Sequence, residues 1–390
     1  MDIQHLQKFV TLGQVVKHKT KAKRRSVPDR LSSLLYMKKK RCLYGGRFDG
    51  VVLMWKRKAD ISQDERPSSR FSGHKGEVTR LCCDWEENLL FSASADRTIK
   101  VWDPWVGNDR RACVQTLAGH GGTVTGIEYA DNFLFSSSTD CSVIIWSKET
   151  GRDFLLYPWY VKAQKFDNAG CWVNTIAFSP NTMNGLGTLY AGDAKGRIFA
   201  YKPHAIGGGK VEWIQGEHPA RVMEHGVSRL LAVSQENLLI LLGYDYTMRT
   251  FDSQTMDQVL CLENPNRCRY LHVGWNGEKQ EVVLLDDKGE LSVVNLVLEH
   301  TVKTMDLLSN IVVSSDLSFV EGNDEILVAK EDSIDSYYVV RNLQYQDFQG
   351  HEGPVVAIKV WSRTSTSEEK IITAGLDNTV RVWDATDMIC

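Results

Sequence analysis

The 390 residues are 43% hydrophobic and 24% charged at a mean hydropathy of -0.27, a balance that excludes fibrous and low-complexity classes and fits a globular chain. No apolar run reaches the ~18 residues of a membrane-spanning helix. The opening MDIQHLQKFV lacks the basic flank, apolar run and small-residue cleavage site of a secretory leader, so the chain is expected to act inside the cell. The formal net charge of -3 conceals a split: residues 1–58 hold 16 Lys/Arg against 3 Asp/Glu, and the remainder 30 against 46.

Residues 1–30 form a basic N-terminal extension. Its run KHKTKAKRR offers Lys17, Lys19, Lys21, Lys23, Arg24 and Arg25 to an acidic partner, either RNA or an acidic protein, and is equally able to lie on the acidic body. No aromatic residues interleave the run, so single-strand stacking gains no support. Residues 31–57 read as a first unit of apolar runs, with Asp49-Gly50 as a hairpin turn six residues before Trp55. The polar stretch DISQDERPSS, residues 60–69, is an exposed connection.

The stretch GHKGEVTRLCCDWEENLLFSASADRTIKVWD, residues 73–103, sets the pattern for the chain. His74, Ser92, Asp96 and Trp102 read as one hydrogen-bonded set, in which an indole N–H, a hydroxyl relay, an imidazole and a carboxylate pin a turn to a strand. The same offsets recur at His120, Ser136, Asp140 and Trp146, and at His351, Thr373, Asp377 and Trp383. In each copy the Trp follows the Asp by six residues, and the hydroxyl residue precedes it by four.

Between the second and last copies the motif thins. Unit four has strand-like WVNTIAFS but the turn DAKG, with Lys195 at the usual Asp position and Tyr201 as its terminal aromatic. Unit five has His225 twenty residues before Asp245, the spacing of His120 and Asp140. Unit six repeats the substitution at Lys288, and unit seven keeps only apolar alternation. Trp55, Trp102, Trp146, Tyr201, Phe251, Val294, Tyr337 and Trp383 then stand as unit ends, 43 to 55 residues apart.

Three copies of this motif resemble the WD40 repeat family, with the motif strong in three units, partial in two and reduced to strand rhythm in three. The resemblance implies an all-β fold, a single WD40-type β-propeller over residues 31–390. Eight blades are expected and seven are the alternative, with residues 1–30 supplying a ring-closing strand. It also implies a non-catalytic protein–protein interaction scaffold in a larger intracellular, cytoplasmic or cytoskeletal, assembly. The alternatives are a nuclear or nucleolar ribonucleoprotein assembly factor whose basic N-terminus contacts RNA, and a substrate receptor of a ubiquitin ligase. Against the last, the sequence reads WDPW at Trp102 and WDAT at Trp383 where Trp-Asp-x-Arg would mark such a receptor.

The Ser/His/Asp sets resemble a hydrolase triad only in composition, because a Trp that occupies the hydroxyl and repetition around a ring suit structure better than catalysis. Neither a metal site nor a cofactor or small-molecule substrate is expected. GGGK at residues 207–210 lacks the phosphate-loop spacing, and the nine cysteines, odd in number and without a CxxC pair, read as buried or half-buried thiols. The family resemblance places Lys75, Glu77, Thr123 and Glu352 on the rim where propellers bind peptides, and YPWY adds Trp159 and Tyr160 as aromatic anchors.

Overall fold

The structure is a computed structural model. It describes residues 31–37, 39–40, 42–56, 67–84, 89–106, 111–149, 158–168, 170–180, 187–207, 210–216, 220–276, 280–296, 300–306, 314–320, 325–330, 333–338, 355–362, 369–375 and 380–384, with backbone alone from 300 onward. The basic residues Lys17 to Arg25 and the proposed closing strand lie outside the described residues.

Among the described residues, short strands separated by turns give eight sheets, each a meander of sequential strands. The first contains Leu31–Met37, Cys42–Arg47, Val51–Lys56 and Ser69–Ser72. The second contains Val78–Asp84, Leu89–Ser94, Thr98–Trp102 and Cys113–Ala118, and the third Val124–Ala130, Phe133–Ser138, Ser142–Glu149 and Trp159–Asp167. The fourth, Val173–Ser179, Thr188–Asp193, Arg197–Gly207 and Lys210–Gln215, gains a fifth short strand, Ala220–Arg221. Val227–Val233, Leu238–Gly243, Thr247–Asp252 and Gln258–Glu263 make the fifth. Tyr270–Asn276, Glu281–Asp286, Glu290–Asn295 and His300–Asp306 make the sixth.

These six are complete blades. The seventh sheet, Ser314–Val320, Glu325–Lys330 and Ser333–Tyr338, and the eighth, Val355–Ser362, Glu369–Gly375 and Val380–Asp384, have three strands each among the described residues. Among the described residues six blades are complete, where eight, or seven as the alternative, were expected, because the last two sheets show no fourth strand there. Two compact units are present. One spans residues 16–321 with 327–335, and the other includes 336–390 and with it the eighth sheet.

Within the first unit the leading strands of successive sheets are neighbours, and Ser314–Val320 lies beside Leu31–Met37, so the sheets follow one another around a β-propeller. The core sits between adjacent sheets. Met37, Tyr44 and Phe71 of the first pack with Leu90 and Trp102 of the second, and Phe91 and Val101 pack with Leu134 and Trp146 of the third. Each such side chain contributes about 1.5 to 3 kcal/mol on burial.

Two polar seams join the sheets. In the first four sheets the second residue of the leading strand sits at a register shift, which turns its side chain towards the next sheet. Ser32 Oγ donates to the Val78 carbonyl (2.6 Å), Thr79 Oγ1 to Val124 (2.5 Å), Thr125 Oγ1 to Val173 (2.5 Å) and Asn174 Nδ2 to Val227 (2.8 Å). The run changes at Ser228, which bonds within its own sheet, and Arg229 reaches the Leu271 carbonyl instead (3.3 Å). At the outer edge, the Gln115 amide brackets the Tyr160 backbone (2.7 and 3.0 Å) and Gln164 brackets Trp213 (3.2 and 2.7 Å).

Candidate functional site

In every complete blade the second and third strands meet in a tight turn, at the end of the sheet where the leading strand begins. The residue closing the turn has positive φ: Gly50 (84°), Arg97 (71°), Cys141 (65°), Gly196 (77°), Tyr246 (66°) and Gly289 (82°). Gly196 has a second reason to be glycine, since a Cβ there would fall on the carbonyl oxygens of Met223 and His225.

The second sheet shows what holds the turn. Trp102 Nε1–H donates to Ser92 Oγ (2.8 Å), whose own proton goes to His74 Nε2 (2.7 Å), and Nδ1–H of His74 donates to Asp96 (2.9 Å). Asp96 also accepts from the Thr98 hydroxyl (2.6 Å) and the Lys75 amide (2.9 Å). Burial opposes its ionisation, but the bonds from Thr98, Lys75 and His74 outweigh that and hold the carboxyl down at about 2. His74 is pushed down by burial, against the pull of Asp96, so the neutral ring relays the bonds in one direction.

The third sheet repeats the device: Trp146 to Ser136 (2.9 Å), Ser136 to His120 (2.8 Å) and His120 to Asp140 (3.2 Å). Burial opposes the Asp140 charge, and bonds from His120, Ser142 and the Gly121 amide hold its carboxyl well below the usual range. Ser92 and Ser136 are both fully buried, and each hydroxyl is occupied as donor and acceptor, so neither presents a nucleophile. Of the last set, His351 and Asp377 lie outside the described residues. Thr373 stands opposite Arg381, and Ile371 opposite Trp383, the register that Ser92 with Lys100 and Leu90 with Trp102 adopt.

The remaining turns keep a carboxylate and change its partner. Asp49 pairs with Arg47 (2.7 Å). Asp245 takes Arg249 (2.9 Å) and Thr247 (2.7 Å), and His225, despite its spacing, is exposed, because the Arg249 fork already fills that side of the carboxylate. In the fourth and sixth sheets the carboxylate has moved two positions inward. Buried Asp193 accepts from the amides of Lys195 (2.9 Å) and Arg197 (2.8 Å) and pairs with the Arg197 guanidinium (2.6 Å). Buried Asp286 accepts from the amides of Lys288 (3.0 Å) and Glu290 (2.7 Å) and from Cys268 Sγ (3.0 Å). The motif at Lys195 and Lys288 is therefore displaced rather than lost, and Asp three residues before Gly in DAKG and DDKG is the signal for it.

The predicted rim residues are placed unequally. Lys75 is exposed, and Glu77 and Thr123 are half-buried beside their turns, their carbonyls accepting from Ala95 (2.9 Å) and Thr139 (3.0 Å). Glu352 lies outside the described residues. Trp159 is 36% exposed at the outer edge of the third sheet. Tyr160 is corrected as an anchor: it is 1% exposed, its ring packed edge-on against Phe91 and its backbone bracketed by Gln115. Exposed aromatics missed by sequence reading include Trp172, Tyr244 and Tyr246, at 60%, 41% and 41%, and Phe48, at 37%. Among the described residues no group of three or more His, Cys, Asp or Glu is placed to hold a metal ion.

The family model for the WD domain, G-beta repeat, matches residues 65–103, 111–147 and 342–384, the same three units that carry the full motif. The chain carries WD40 repeats. The chain also resembles curated proteins over short spans. The DDB1- and CUL4-associated factor 11 homolog of Caenorhabditis elegans is 36% identical over 80 residues, 19% of this chain and 14% of that protein. F-box/WD repeat-containing protein 10 of Mus musculus is 41% identical over 66 residues, 17% of this chain and 6% of that protein. Nuclear distribution protein PAC1 of Debaryomyces hansenii is 34% identical over 106 residues, 23% of this chain and 20% of that protein. The chain thus spans well under a quarter of each relative's length.

Proposed function

We propose that this WD40-repeat chain is a non-catalytic scaffold that holds protein partners in a larger assembly inside the cell, in the cytoplasm or on the cytoskeleton. One observation carries the reading: six turns, each closed by a positive-φ residue and anchored by a carboxylate, stand at one end of their sheets, and five of them present different exposed side chains there, Phe48, Arg97, Lys195, Tyr246 and Lys288. A uniform support with a varied face suits recognition, because the anchoring groups are spent inside each turn and the outward residues are left for contact. Affinity purification of the full chain from its own cells, at native expression, tests this. Reproducible protein partners in fixed stoichiometry are expected; a chain that elutes alone at the size of a monomer would sink it.

A second reading, a substrate receptor of a ubiquitin ligase, draws on the names of two relatives, one DDB1- and CUL4-associated and one an F-box protein. Ligase subunits among the stoichiometric partners would select it. Partners lost on ribonuclease treatment would instead select a ribonucleoprotein assembly role through the basic N-terminus.

A further inference from the structure

The second and third sheets place a carboxylate, Asp96 or Asp140, immediately before the positive-φ residue of the turn. In the fourth and sixth the anchor lies deeper, as Asp193 (0% exposed) and Asp286 (3%), and the turn tip becomes an exposed lysine, Lys195 or Lys288. The displacement keeps the anchor and converts the tip from anionic to cationic.

These tips adjoin the exposed aromatics in one continuous strip. The Ala194 amide donates to the Trp172 carbonyl (3.0 Å), and a Cβ on Gly226 would lie 2.7 Å from the Ala194 carbonyl. The Tyr244 amide donates to the Gly226 carbonyl (3.1 Å), and the Arg269 guanidinium stands over the Tyr244 ring at 6.0 Å. The Asp287 amide returns to the Arg269 carbonyl (2.9 Å), and Lys288 Nζ reaches the Asn266 carbonyl (3.2 Å). Asp287 lies 3.9 Å from Arg269, Glu290 accepts from the Asn266 side chain beside Lys288 (2.7 Å) and Glu224 is exposed nearby in the chain, so the strip is of mixed charge, with exposed Arg267 joining Lys195, Arg269 and Lys288 on the cationic side.

We propose that the rim of sheets four to six docks an acidic peptide segment of a protein partner, its carboxylates on Lys195, Arg269 and Lys288 and an apolar side chain against Trp172 or Tyr244. The proposal rests on the scaffold reading and specifies the chemistry of one partner. Aromatic rings beside guanidinium and ammonium groups are the composition that dominates interface energies.

Fluorescence anisotropy tests it with the full chain and labelled oligoglutamate bearing one leucine, oligoglutamine bearing one leucine, and oligouridylate. The acidic peptide alone should bind, more weakly as salt rises. Lys195→Glu with Lys288→Glu should weaken it about tenfold or more, as should Trp172→Ala, while Lys202→Glu, exposed on the third strand of the fourth sheet and away from the turn, leaves it unchanged. Circular dichroism melts establish that each variant is folded, and the Trp172→Ala arm stands if the double variant is not. Equal binding by folded rim variants, binding of oligouridylate in preference, or no acidic-peptide binding at low salt would each overturn the proposal. Partners still recovered from cells in those cases would leave the scaffold reading standing.

Discussion

The relay from Trp102 through Ser92 and His74 to Asp96 has every proton pointing towards the carboxylate, so cutting its end strands four donors at once, the His74 ring, the Lys75 amide and the Thr98 amide and hydroxyl. Asp96→Ala should cost about 1 to 3 kcal/mol in urea denaturation, and a variant as stable as the parent would show the set to be ornamental. Acid should undo the same device in two stages. His74 has a folded pKa below its unfolded value of 6.5, so its contribution is complete above 6.5 and declines as pH falls below it. Asp96, held at about 2 against 3.8, contributes fully above 3.8 and loses that as pH falls through 2. Glu128, in the leading strand of the third sheet, has the opposite sign. Burial raises its carboxyl to about 7 from 4.5, so it withdraws stability as pH rises from 4.5 to 7. Glu128→Gln should therefore raise the melting temperature at pH 8, by a free energy of about 1 to 3 kcal/mol, and leave it unchanged at pH 4.

At the scale of the element, the turns show how much a motif can move without ceasing to work. The second and third units were legible because three copies at one spacing define the offsets. The fourth and sixth were not, since alignment on the turn glycine puts Lys195 and Lys288 where the anchor was sought, although Asp193 and Asp286 stand two residues before. His225 misled in the other direction: its spacing matched, but Arg249, four residues on in the strand that leaves the turn, holds Asp245 instead. Sequence spacing reports where a side chain can reach, and a competing guanidinium decides whether it does. Asp193→Ala should cost about 3 to 5 kcal/mol by leaving the Arg197 guanidinium without its partner. Lys195→Asp should shift stability by no more than about 0.5 kcal/mol, since the anchor it would restore already exists. A clear gain from Lys195→Asp would show that the displaced carboxylate is the poorer one.

For the whole molecule, the strand rhythm made the all-β propeller legible, while the number of complete blades was not. Apolar alternation signals strands but not whether a fourth joins each sheet. The inner seam was visible in outline, as LSS, VTR, VTG, VNT and VSR at the starts of the leading strands, yet a threonine there is also an ordinary strand residue until its partner carbonyl is known. Thr79→Val should cost about 1 kcal/mol, read as a lower urea midpoint with an unchanged slope. The charge split has its own outcome: despite a pI near 6.4, the full chain should be retained on heparin at neutral pH, and a chain lacking residues 1–25 should not be.

The seams also bear on how such a chain lengthens or shortens over evolutionary time. Thr79 and Thr125 address the same backbone position in the sheet that follows them, as do Gln115 and Gln164. A recombination event that excised the third unit in phase would bring Thr79 to the Val173 carbonyl and Gln115 to the Trp213 backbone, with no bonding group left over at either seam. Excising the fifth unit would set Asn174 against Tyr270 and discard the Arg229 contact that spans the next junction. The neighbourhood of the third unit is thus where gene duplication or deletion is chemically silent, and the junction after the fifth is where it leaves a scar.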